Sequence, residues 1–163
     1  MPIRSHGLRW VFMIAACVIA VPLFDVVADS AASASSLPNA CSVLAAVQPQ
    51  NTIAGGKHVA VGKPKTTSST ATDKACSESV GAITVYLDFS KYAGGFGGVK
   101  ITSRTHPTGL GTGDELIVGT GLGSGGPVDF VNFHKGGIYA SVSANGSVPS
   151  NLVALAREVY KQM

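Results

Sequence analysis

The sequence predicts an α+β domain: a single antiparallel sheet with an N-terminal and a C-terminal helix packed on one face. Three observations carry this reading. Ile83, Val85, Leu87 and Phe89 alternate with polar or small residues, the period of a strand with one buried side. Two apolar runs, 128–133 and 138–144, flank a glycine pair and read as a hairpin. Leu152, Leu155, Ala156, Val159 and Met163 then recur at helical spacing, with Arg157, Glu158 and Lys161 off that stripe. The strands follow one another without strand–helix alternation, so the sheet is antiparallel and the helices cover one side of it.

The chain starts with a basic segment, Arg4, His6 and Arg9, followed by an apolar run over 10–24 that is too short for a membrane span. Small residues come next, and Val26-Val27-Ala28 and Ala32-Ser33-Ala34 both offer cleavage sites. Residues 1–34 are therefore expected to be a secretory signal peptide, cut between 28 and 34, leaving 35–163 as one secreted domain. Ile14-Ala15-Ala16-Cys17 also fits the loose pattern of a lipoprotein signal. The short run before Cys17 and the apolar Val18-Ile19-Ala20-Val21 after it argue against that possible lipoprotein. Membrane association is expected only if Cys17 is lipidated or the leader is retained.

In the mature part, Ser36-Leu37-Pro38 opens a helix whose face is Leu37, Cys41, Leu44, Ala45 and Gln48. Pro49 ends it or starts a second short turn over 50–54, closed by Gly55-Gly56. Val59-Ala60-Val61 reads as a short strand, and 63–74, rich in Thr and Ser, as a mobile surface loop. Residues 79–89 form the best single strand. Between Gly94 and Gly126 lie 12 of the chain's 20 glycines, so this part reads as turns around two strand-like pieces, 99–102 and 115–118. In the hairpin, a Gly136-Gly137 loop sets Phe133 opposite Ala140, whereas a Lys135-Gly136 loop sets it opposite Ile138. Both registers put Val131, Phe133, Ile138, Ala140 and Val142 on one face. Ser147, or less well Ser150, reads as the N-cap of the last helix, with Pro149 in its first turn.

Several short segments resemble small secreted proteins and lipoproteins of unknown function that are numerous in actinobacteria. They are Cys41-Ser42-Val43-Leu44, Ile53-Ala54-Gly55-Gly56-Lys57, the turn from Gly109 to Glu115, which is similar to a Gly-Leu-Gly-Asp-Glu turn with two residues inserted, and the hairpin and helix. The resemblance implies an exported α+β domain, often with a cysteine pair. It implies no catalytic residues.

Candidate chemistry is sparse. Gly123-Ser124-Gly125-Gly126-Pro127 resembles the nucleophile segment of chymotrypsin-like proteases, but Gly123 stands at the Asp position and the chain is too short for a double barrel. The glycines at 109–111 and 119–123 lack the following helix that a phosphate loop needs. His58, His106 and His134 lack metal-pair spacing, and no Cys-x-x-Cys occurs. The adjacent Asp114 and Glu115 would point apart in a strand, which makes them a poor acid–base pair. No catalytic, cofactor or metal residue is assigned. A net charge of +3 and no basic cluster interleaved with aromatics speak against nucleic acid. Without the leader two cysteines remain, Cys41 and Cys76, in an oxidising compartment, and a disulfide between them is expected. The expected function is a non-catalytic secreted or cell-envelope domain that binds a ligand, lipid or protein partner. The alternative is a small secreted hydrolase using Ser124 and a histidine.

Overall fold

The computed structural model describes residues 36–93, 100–111, 115–120, 127–146 and 148–163. All belong to one compact unit, Ser35–Met163. The expected signal peptide, Cys17 and Ser124 lie outside the described residues. The fold is the predicted α+β arrangement. Two short helices, α1 (Ala40–Val47) and α2 (Pro49–Ile53), precede seven strands, and a longer helix, α3 (Pro149–Gln162), follows them. The strands are β1 (Lys65–Ser69), β2 (Asp73–Val80), β3 (Ile83–Ser90), β4 (Lys100–Thr105), β5 (Glu115–Thr120), β6 (Pro127–Lys135) and β7 (Ile138–Asn145). They form one antiparallel sheet in the order β1-β2-β3-β7-β6-β5-β4.

One face of the sheet is apolar, and all three helices pack on it. Cys76 pairs with Leu87, Leu87 with Val142 and Val142 with Val131, so one buried row crosses four strands. Phe89, Ala140 and Phe133 make the next row. Leu152, Leu155, Ala156 and Val159 of α3 and Ala40 and Leu44 of α1 close this core. Helix α3 lies over β6 and β7, and α1 over β2 and β3. The hairpin resolves to the Gly136-Gly137 loop, with Lys135 opposite Ile138 and Phe133 opposite Ala140. Both loop residues have positive φ (57° and 78°), as the twist-matched two-residue turn requires.

Five expectations need correction. First, α1 starts at Ala40, because Asn39 takes the cap: its Oδ1 accepts the Ser42 N–H at 3.0 Å. Leu37 is buried ahead of the helix, while Ala45 and Gln48 are exposed. The helix breaks at Gln48, whose left-handed φ of 48° precedes Pro49, a position where the right-handed conformation is disfavoured.

Second, the Thr/Ser run is edge strand β1, a hairpin partner of β2, since β-branched threonines suit an extended and exposed backbone. Third, 79–89 is two strands. Gly81, at φ +62°, turns the chain so that Val80 faces Ile83, two apolar residues three apart that one continuous strand could not hold on one face. Fourth, Val61 makes only an isolated bridge to Val80, so 59–61 is no strand.

Fifth, the N-cap of α3 is Val148. Its N–H is satisfied by the carboxylate of Asp129 on β6, at 2.7 Å. Ser147 lies outside the described residues.

Candidate functional site

Among the described residues no helix packs on the second face of the sheet, and three rows of side chains cross it. In the central row Asp88 of β3 lies opposite Ser141 of β7, and Ser141 lies opposite Asn132 of β6. On one side of that row, Tyr86, Ser143 and Phe130 stand in line. On the other, Ser90, Tyr139 and His134 do so, with the Tyr139 and His134 rings 5.0 Å apart. The alternation of each strand fixes this: whatever is apolar and odd-numbered in β3 faces the helices, so Tyr86 and Asp88 must face away. A polar strip thus runs between two aromatic rows four residues apart along the strand, about 13 Å at ordinary strand rise. Tyr86 and Tyr139 are 42% and 38% exposed, enough to present ring faces to a ligand.

The strip is electrostatically unusual. Burial pushes the Asp88 carboxyl up to about 7, and a hydrogen bond with the Asp73 carboxyl and the charge of that neighbour push in the same direction. Asp88 Oδ1 and Asn132 Oδ1 are both screened from solvent without a hydrogen-bond partner. Polar atoms in that condition cost stability, of order 1–3 kcal/mol each.

Two more acids sit on the helix-covered face. Glu78 is buried with Oε2 unpartnered, and burial raises its carboxyl above the usual range. Asp129 is buried as well; burial raises its carboxyl and the Val148 N–H partly offsets that. Its Oδ2 takes the Val148 N–H where α3 begins.

Of the residues singled out in the sequence, the three histidines lie at separate places in the fold. His58 is exposed after α2, His106 after β4 and His134 at the end of β6. Glu115 opens β5, and Asp114 lies outside the described residues. Among the described residues no three His, Cys, Asp or Glu side chains form a group that could hold a metal ion, and no helix is long and apolar enough to cross a membrane.

Cys41 and Cys76 do meet, in a disulfide with an S–S distance of 2.05 Å and Cα atoms 5.1 Å apart. It ties α1 to the middle of β2. Sequence reasoning missed the Asp88–Ser141–Asn132 strip because its members come from three strands whose pairing is non-local. The signal available was modest: Asp88 and Asn132 occupy the outward phase of strongly alternating strands, where Thr or Ser would suffice. No family model, no curated protein and no solved structure matches this chain.

Proposed function

We propose that this chain is an exported, non-catalytic binding domain of the cell envelope or extracellular space, and that the helix-free sheet face contacts its ligand. The observation that carries this reading is the central strip, Asp88, Ser141 and Asn132, set between exposed tyrosines on a rigid sheet. Such a surface favours a ligand with flat apolar faces for the rings and hydrogen-bonding groups between them. It suits a lipid tail poorly, because the centre of the face is polar. The disulfide and the short apolar leader support export.

Native mass spectrometry of the protein recovered from the culture medium tests both parts. The expected result is a mass starting between residues 29 and 35 and a non-covalent adduct that is lost when Tyr86 and Tyr139 are both replaced by Ala. An adduct that survives this double substitution would move the site elsewhere. Retention of residues 1–34 would remove export by signal cleavage.

A further inference from the structure

The two sulfurs of the disulfide occupy unequal surroundings. Cys76 is 1% exposed and sits in the core row with Leu87, with the Ser77 carbonyl oxygen 3.9 Å from its Sγ. Cys41 is partly exposed and lines a small open cavity together with Asn39, Thr66, Ser68, Ser69 and Lys74. Access to the bond is therefore one-sided.

The Cys41 side carries the start of a helix, a hydroxyl and a lysine. Cys41 is the second residue of α1, in the turn whose N–H groups are unpaired within the helix. The Asn39 cap is committed to the Ser42 N–H. Thr66 Oγ1 stands 3.5 Å from Cys41 Sγ. Lys74 also lines the cavity, and its Nζ donates to Ser69 Oγ at 3.1 Å. A helix N-terminus, a hydroxyl and an ammonium all favour a thiolate over a thiol, whereas an apolar core favours the thiol.

We infer that the Cys41–Cys76 bond is open to thiol–disulfide exchange with small-molecule thiols, and that Cys41 is the sulfur attacked and modified. An incoming thiolate bonds to Cys41 Sγ as the Cys41–Cys76 bond breaks. The electron pair leaves on Cys76 Sγ, which takes a proton from solvent. A second thiolate attacks the outer sulfur of the mixed disulfide and releases Cys41 as a thiolate. The products are the oxidised small disulfide and the protein dithiol, so one disulfide is reduced for each one formed. The unequal surroundings give the two steps different rates. The first expels a thiolate into the core and is the slow one, and the second expels the better leaving group.

The full chain with its native disulfide provides the test. Folded protein is exposed to increasing dithiothreitol, quenched by alkylation and weighed. The expected opening rate rises in proportion to thiol concentration. A rate that levels off at the protein's own unfolding rate means the bond is sealed within the fold, and overturns the inference. Peptide mapping of the small fraction of mixed disulfide trapped by acid during turnover with glutathione should place it on Cys41 several-fold more often than on Cys76. Equal occupancy or a Cys76 preference also overturns it.

Discussion

Asp129 accepts the N–H of Val148 at the start of α3, a donor that no carbonyl of the helix can satisfy. Asp129→Ala should destabilise by about 1–3 kcal/mol, the usual effect of stranding a partly buried N–H. Asp129→Asn keeps an acceptor and should lose less; urea unfolding of both variants gives the comparison. Asp88 makes a different prediction. Its folded carboxyl lies at about 7, above the ordinary 3.8, so the protonated form is the one the fold prefers. The stability it contributes is complete below about pH 4 and lost as the pH rises through about 7. The midpoint of thermal unfolding should therefore fall across that window. Asp88→Asn, which cannot ionise, should flatten part of the slope; Glu78 and Asp129, raised in the same direction, keep the rest. A slope that is identical in the variant would mean that Asp88 titrates as it would in water.

At the scale of elements, α3 is held by its apolar stripe and by the loop before β5. Leu155 is buried against the sheet, and Leu155→Ala should destabilise by about 2–5 kcal/mol, as for a packed core leucine. A change within about 0.5 kcal/mol, the range of surface positions, would mean that the helix is not docked. The polar flank of the helix also has work. Arg157 donates through Nε and Nη2 to the Thr108 carbonyl, at 3.1 and 2.9 Å, and Leu110 beyond it enters the core. Gly111, at φ +90°, lets the chain leave beside Tyr160, whose hydroxyl would stand 3.3 Å from an added Cβ. In the β6–β7 turn, Gly137→Ala should cost about 1–2 kcal/mol because φ is +78° there, whereas Gly136→Asn should be tolerated. Thermal unfolding of the two variants separates them.

For the molecule as a whole, the sheet is a seven-stranded layer with helices on one side, and the disulfide fastens the N-terminal helices to it. The bond spans 35 residues, including β1 and its turn. Chain-entropy reasoning gives a loop of that length about 4 kcal/mol of stabilisation, to be read as the difference in urea unfolding between wild type and the Cys41→Ser/Cys76→Ser variant. A difference below about 1 kcal/mol would mean that the reduced chain already holds its ends together.

The apolar set of β3, the β6–β7 hairpin, the stripe of α3 and the cysteine pair were legible in the sequence, because each depends on local periodicity or on counting. Alternation fixes which strand residues share a face, whatever the neighbours are. The break at Gly81 was hidden because Gly81-Ala82 lacks the Asn-Gly or Asp-Gly signature of a two-residue hairpin loop. The β1 strand was hidden because its stabilisation comes from pairing with β2, and Lys65 to Ser69 have no core face to betray it. Leu110 reads as one apolar residue among loop glycines, and only the packing of α3 puts it in the core. The Asp88–Ser141–Asn132 strip and the one-sided access to the disulfide belong wholly to the tertiary structure. Strand order places residues about 50 positions apart side by side, and a linear sequence does not specify a non-local pairing until the core that drives it has formed.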